Sequence, residues 1–281
     1  QKRLIVKILK EQGFSVGMIG DGLNDVSAIK IADVGISFDE DQAASACQDL
    51  ADVIVTGSEL RVLPEGVKCG RATYYNTIKY TKTQLSGSLS NAFSNWLAPV
   101  MMSFQPMANS QILLQNMIND MSLLPLPWDN VDASAYASPC KWDVRGHFFF
   151  MVVLAPIGSI FDLMTFLYFL KIEDYGADTA PYLQTGWFIV GVVTQTLVFH
   201  ILRTEKIPFI KNRACTPLII STVGFAALAT IFPYFPFSQS YFSMKTQSGQ
   251  FYLLLIGIVI TYSVAAHLAK IPVRKLTGTW I

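Results

Sequence analysis

The sequence predicts an α-helical membrane protein with six transmembrane helices, preceded by a short α/β segment. Three observations predict it. The chain is 52% hydrophobic and only 15% charged, where soluble domains run to roughly 45–50% and about 25%. From about residue 81 onward, long apolar runs recur, and a bilayer-spanning helix needs about 20 mostly apolar residues. Before residue 75, short apolar runs alternate with helix-like stretches, the pattern of an α/β domain with a parallel sheet. The formal net charge of +1 gives no bulk basic character that would point to nucleic acid. Cys47, Cys69, Cys140 and Cys215 lie far apart without CxxC spacing. They read as scattered reduced thiols, not as a zinc site or a disulfide scaffold.

Taken in order, LIVKIL is helix-like, and SVGMIG, an apolar run bounded by glycines, fits a buried strand. Residues 25–32 read as a helix, VGIS as the next strand, 42–49 as a helix and ADVIVT as a third strand. Residues 60–80 form a long helical pattern. Residues 1–75 are too few to complete such a domain and are expected to be its C-terminal end, with 76–281 as the membrane domain. Residues 1–10 are amphipathic and basic, unlike a signal peptide. With no initiator methionine, the chain is expected to be a piece of a longer protein.

Six spans are expected, at 82–104, 108–126, 147–170, 183–202, 216–235 and 251–270. The first two are rich in amides and hydroxyls, and their place before four clear spans makes them membrane segments too. Loop charges set the orientation. Lys141 and Arg145, then Arg203, Lys206, Lys211 and Arg213, then Lys270, Arg274 and Lys275 fall on one side. The opposite loops hold only Lys171 and Lys245, the first of them beside Glu173, Asp174 and Asp178. The basic side is expected to be cytoplasmic, with both ends of the chain there, in a multi-pass protein of the cell membrane in contact with its lipids.

The first strand runs into Gly20-Asp21-Gly22, with Asn24 and Asp25 just after. Such a strand end puts Asp21 at the carboxyl edge of a parallel sheet, where open α/β sheets bind ligands. The glycines let the backbone turn tightly beside an anion. Asp21 and Asp25 are hard oxygen ligands suited to Mg²⁺ with phosphate oxygens, and Asn24 can donate its amide to a phosphate. A turn that only caps the next helix would use the same residue types. The whole string GDGLNDVSAIKIADVGIS is far more specific than its first three residues.

In the first span, Gln84, Ser88, Asn91 and Asn95 share one helical face. In the second, Asn109, Asn116 and Asp120 share a face, beside a stripe of Gln111, Gln115 and Asn119. Ionisable residues in membranes are costly and face a bundle interior or an ion path. Asp120 with Asn116 and Asn91 therefore reads as an oxygen-lined cation site. Asn95, Gln111, Gln115 and Asn119 read at least as well as amides gluing helices together. Pro99 and Pro106 are expected to loosen the first span near its end. Asp162 reads as structural, pairing with a neighbour such as Thr165, with a place near the transport path as the alternative. His200 is expected to be interfacial.

The string GDGLNDVSAIKIADVGIS resembles the hinge motif of P-type ion-pumping ATPases, whose phosphorylation domain is haloacid-dehalogenase-like. Lys2, just before RLIV, matches the position of that family's phosphate-binding lysine. The segments LLQNMINDMSLLPLPWDNVD, KWD, FDLMTF, GWFIVGVVTQTLVFHILRTEKIPFI and NRACTP resemble the magnesium-transporting subfamily. The resemblance implies a pump that couples ATP hydrolysis, through an aspartyl-phosphate, to Mg²⁺ import. Asp21 and Asp25 would serve the catalytic Mg²⁺, and Lys2 and Asn24 would face the phosphate. Asn91, Asn116 and Asp120 would bind the cargo Mg²⁺. ATP would act through domains upstream of this sequence. Ser88 departs from the asparagine expected there, which puts cargo affinity and the number of bound waters in question. The phosphorylated Asp-Lys-Thr-Gly-Thr motif does not occur in this chain. KLTGT at 275–279 lacks the preceding aspartate and reads as a coincidence in a basic tail, so the fragment alone is not expected to turn over. Two alternatives stand beside this: a pump for another divalent cation such as Ca²⁺, and a non-catalytic membrane remnant or scaffold.

Overall fold

The computed structural model describes residues 1–39, 45–57, 59–132, 136, 142–204, 208 and 212–277. The chain divides into two compact units, Gln1–Cys69 and Gly70–Ile281.

In the first unit the elements are α1 (Lys2–Glu11), β1 (Gly17–Ile19), α2 (Val26–Ile29), β2 (Val34–Phe38), α3 (Ser45–Leu50) and β3 (Val53–Val55). The strands pair in parallel in the order β1-β2-β3, with Gly17 opposite Val34 and Ile36 opposite Val53. One device sets the register twice. Asp33, just before β2, accepts from the Val16 N–H at 2.9 Å, and Asp52, just before β3, accepts from the Gly35 N–H at 2.8 Å. Gly35 lets α2 close onto β2, because a Cβ there would lie 2.6 Å from Ile29 Cγ2. The helix expected over 25–32 is realised only as Val26–Ile29. The chain turns after it to bring Asp33 back beside Val16. Of the helix expected over 42–49, residues 42–44 lie outside the described residues.

The long helical pattern becomes α4 (Val62–Met101), 40 residues and about 60 Å long at 1.5 Å per residue. The boundary between the units falls within it. Pro99 sits in its last turn, and the helix ends two residues later. Beyond its amide face, α4 has a second polar face. Ser86, Ser90 and Ser94 recur every four residues and are buried. Small residues let membrane helices approach closely.

Next come α5 (Asn109–Ser122), α6 (Val144–Leu167), α7 (Ala180–Leu202), α8 (Thr216–Ile231), α9 (Pro236–Tyr241), α10 (Gly249–Leu268) and α11 (Lys270–Thr277). A π turn, Tyr168–Ile172, extends α6. The Asp143 side chain caps α6 by accepting from the Arg145 N–H at 3.1 Å. Four helical stretches are long and apolar enough to cross a membrane: Val144–Ile172, Ala177–Leu202, Thr216–Tyr234 and Gly249–Leu276. They make the chain an integral membrane protein. The expected spans at 82–104 and 108–126 fall on α4 and α5. α5 is only 14 residues, about 21 Å, because Pro125 and Pro127 follow and the chain tightens into a 3₁₀ turn at Leu126–Trp128.

The core sits around α7, whose most apolar stretch is 89% buried against 22–39% for those of the other three spans. A helix apolar all round belongs inside a bundle. Leu183, Trp187, Phe188, Ile189 and Val192 pack there with Phe166, Phe169 and Phe251. Gly186 and Gly191 admit neighbours to its surface. A Cβ at Gly186 would meet the Phe169 ring, and one at Gly191 would lie 2.4 Å from Gln115 Nε2.

A buried charge cluster pins the chain that follows α5. The Asp129 carboxylate accepts from Lys79 Nζ at 3.1 Å, from Arg203 Nε at 2.8 Å, from Arg203 Nη2 at 3.0 Å and from the Cys215 N–H at 3.2 Å. Arg203 also donates to the carbonyls of Asn130 and Asn212. One aspartate thus ties the ends of α7 and α8 to α4.

Several expectations are corrected. His200, near the end of α7, is buried against α8, with Nε2 2.7 Å from Thr222 Oγ1. Asp162 does not pair with Thr165, whose hydroxyl donates to the Phe161 carbonyl of its own helix. Asn95 glues no helix pair; its amide donates to the Asn91 carbonyl one turn back. Cys47, Cys69 and Cys215 are free thiols, and Cys140 lies outside the described residues, as do Lys141, Lys206, Lys211 and the last two residues of KLTGT.

Candidate functional site

Two loci carry the polar chemistry, one in each unit. The first is the turn after β1. Asp25 stands just before α2 and is 4% exposed, while Asp21 and Asn24 are exposed. Asp25 Oδ1 lies 2.6 Å from Lys2 Nζ, which α1 presents to it. The Asp25 hydrogen bond first, helped by the lesser effects of the Asp25 and Asp21 charges, holds the Lys2 ammonium above its ordinary range against the opposing effect of burial. Gly20 is required by this packing, since a Cβ there would lie 2.4 Å from Asp25 Cβ. Beneath the turn, the Cys47 thiol of α3 donates to the Gly22 carbonyl at 3.0 Å. Burial first, then the charges of Asp25 and Asp21, pushes that thiol's pKa up and keeps it protonated. The donor set is two carboxylates and an ammonium at a sheet edge. That set fits a hard divalent cation together with a phosphate group.

The second locus is a cavity of about 230 Å³ lined by Gln84, Gly87, Ser88 and Asn91 of α4, Asn116, Asn119 and Asp120 of α5, and Gln195 of α7. The three candidate cargo ligands therefore share one space. Asp120 Oδ1 accepts from Gln84 Nε2 at 3.0 Å and from the Tyr80 hydroxyl at 3.3 Å. Asn91 Oδ1 accepts from Gln195 Nε2 at 3.2 Å, and Gln195 Oε1 accepts from the Asn119 amide. Asp120 and Asn116 are exposed on the surface of this chain. The lining holds one carboxylate among neutral amides and hydroxyls. Mg²⁺ gives up its waters reluctantly and keeps several, and the cavity has room for an ion with part of its shell.

Among the described residues no three His, Cys, Asp or Glu side chains converge as a metal cluster. Gln111 turns away from the cavity and donates to the Phe242 carbonyl at 2.9 Å, bridging helices. Sequence reasoning missed Gln195. Its signal was a lone amide within the apolar run GWFIVGVVTQTLVF.

Residues 104–271 match the family model described as "Cation transporting ATPase, C-terminus". The chain is 37% identical to the "Magnesium-transporting ATPase, P-type 1" of Salmonella typhimurium, over 96% of this chain and 30% of that protein. The Escherichia coli K12 protein of the same name gives the same identity and coverage. The rat "Calcium-transporting ATPase type 2C member 2" is 26% identical over 95% of this chain and 29% of its own length. The chain spans less than a third of the length of these relatives.

Proposed function

This chain belongs to the cation-transporting ATPases, as their C-terminal part, and we propose on that premise that the whole protein is a P-type ATPase importing Mg²⁺. The observation that carries the cargo assignment is the single cavity shared by Asn91, Asn116 and Asp120. The names of the bacterial relatives support magnesium as cargo, and they are more similar to this chain than the calcium pump. In this reading residues 1–75 are the end of a haloacid-dehalogenase-like phosphorylation domain. Residues 76–281 are six spans in the cell membrane, with both ends of the chain cytoplasmic. α5 is the shortest of the six.

Lys2, Asp21, Asn24 and Asp25 do their work on a phosphoryl group carried by an aspartate upstream of this chain. Phosphoryl transfer is catalysed mainly by positioning and charge neutralisation. Asp21 and Asp25 would hold the catalytic Mg²⁺ that comes with ATP, which when bound neutralises charge on the phosphoryl oxygens. Lys2 is oriented by Asp25 and would meet the phosphate, and Asn24 would donate to it.

The test uses the full-length protein in a strain dependent on magnesium uptake. Asp120→Ala is expected to abolish uptake while the protein still reaches the membrane. Normal uptake in that variant would sink the cargo assignment. Asp21→Ala is expected to block phosphoenzyme formation or its turnover at saturating Mg²⁺. ATPase activity stimulated by Ca²⁺ and not by Mg²⁺ would replace magnesium with the calcium reading.

A further inference from the structure

Asp162, on α6, is a buried carboxylate that the proposed transport reaction does not use. It is 7% exposed and lies inside the span Val144–Ile172. Its contacts are neutral. Ser94 Oγ of α4 lies 2.6 Å from Oδ2, and Trp187 Nε1 of α7 donates to Oδ1 at 2.9 Å. Among the described residues no lysine, arginine or histidine forms an ion pair with it. An isolated charge in a dry interior is expensive, and a carboxyl so placed neutralises instead.

The hydrogen bonds accommodate the neutral acid. The Ser94 hydroxyl has two acceptors in reach, the Asp162 carboxyl and the Ser90 carbonyl at 3.0 Å. With Asp162 protonated, the carboxyl O–H donates to Ser94 Oγ and the Ser94 hydroxyl donates to Ser90. Ser90 itself is held from the other side by Ser159 Oγ, which donates to its carbonyl at 3.0 Å.

Asp162 also lines a small cavity of about 20 Å³ with Ser90, Asn91, Thr194, Gln195 and Tyr262. Gly87, Asn91 and Gln195 line this cavity and the cation cavity alike. Its size decides what it can hold. A single water needs about 10–15 Å³ by this measure, so a magnesium ion with its waters is excluded. A proton, with at most one water, fits. The groups facing Asp162 are Ser94 and Ser90 of α4, Trp187 of α7 and Tyr262 of α10, and of these only the phenol is titratable.

We propose that Asp162 is a proton-binding site, a neutral carboxylic acid that gives up its proton when a cation occupies the adjoining cavity. The second half rests on the cation-cavity reading. A cation across the shared wall favours the charged carboxylate. The carboxyl O–H bond breaks, the proton passes to a water in the small cavity and on to solvent, and the carboxylate remains. By linkage, protonation of Asp162 weakens cation binding by the same factor.

The test is infrared difference spectroscopy on the full-length protein in lipid nanodiscs. Without Mg²⁺, wild type minus Asp162→Asn is expected to show a protonated-carboxyl C=O band that shifts in D₂O. Adding Mg²⁺ to wild type is expected to bleach that band and release one more proton per bound ion than in Asp162→Asn, read with a pH dye. If Asp162→Asn does not fold, Ser94→Ala serves instead, since losing that hydrogen bond moves the band to higher frequency. An absent band, or one that Mg²⁺ leaves unchanged, overturns the proposal. Mg²⁺ binding to Asp120→Asn is measured alongside. Normal binding there sinks the cavity reading, whereas the Mg²⁺-free spectrum reports on the Asp162 proton regardless.

Discussion

Asp120 and Asp129 stand nine residues apart, one on α5 and one just beyond it, and the fold treats them in opposite ways. Asp129 has a fully buried side chain, and its carboxylate lies within hydrogen-bonding distance of Lys79 and Arg203, whose side chains are 1% exposed. Asp120 is exposed on a cavity wall, and its partners are a glutamine amide and a phenol. A carboxylate matched by two cations has no attraction left for a third. One held only by neutral donors keeps its charge for a ligand. Adjacent residues of α4 make this division, since Lys79 points to Asp129 and Tyr80 to Asp120.

The largest effect should follow from breaking the structural member of the pair. Asp129→Ala leaves two ammonium-type charges buried without their carboxylate. Removing one partner from a buried ion pair costs about 3–5 kcal/mol. The full-length variant is expected to lose most of its folded population, seen as a collapse of its thermal melt in detergent. Asp120→Ala, made in parallel, breaks no buried ion pair and should melt within about 0.5 kcal/mol of wild type, although it is expected to abolish uptake. Equal destabilisation by the two would show that Asp120 is structural as well.

A middle-sized effect should come from Gln195, which belongs to neither class. It accepts from Asn119 and donates to Asn91, so it orients two amides on two helices. Each such hydrogen bond contributes about 1 kcal/mol, and Gln195→Leu removes both while keeping the volume. Mg²⁺ affinity is expected to fall about tenfold, since about 1.4 kcal/mol is a factor of ten in a binding constant. The melt should fall by about 2 kcal/mol, less than that of Asp129→Ala. An unchanged affinity would leave Gln195 as helix glue alone.

Those three residues mark how far the sequence could be read. Spacing put Asn116 and Asp120 on one face of α5 and Asn91 on the amide face of α4, because helical periodicity is local; that the two faces meet came from the resemblance and not from spacing. The strands at 17–19, 34–38 and 53–55 were legible for the same reason, from short apolar runs between turn residues. Gln195 was not, since its role depends on which helix α7 packs against. The Asp129 cluster was invisible because Lys79 and Arg203 lie 50 and 74 residues away along the chain. In the sequence Asp129 is only part of a resembling string, and Arg203 reads as a loop charge. Asp162 was given a partner on its own helix because sequence spacing shows only such partners. Its actual partners are 68 residues back and 25 residues on. The hydroxyl stripe of α4 had a four-residue period, but small polar residues give a weak signal beside amides.

The smallest effect sharpens the comparison by moving an ion pair into water. Lys10 and Asp33 of the first unit meet at 2.9 Å with side chains 36% and 40% exposed. The Val16 N–H first, and then Lys10, hold the Asp33 carboxyl below its ordinary 3.8. A carboxylate whose folded pKa is depressed adds stability above its unfolded value and loses it as pH falls through the folded one. Asp33→Asn should therefore melt slightly below wild type at neutral pH, with the difference closing only below pH 3.8. Added salt should shrink the gap at neutral pH, because exposed pairs are screened. The Val16 bond should survive salt, so part of the gap is expected to remain. A gap that vanishes completely in salt would assign the whole effect to Lys10. A gap as large as that of Asp129→Ala would show that burial is not what separates the two kinds of pair.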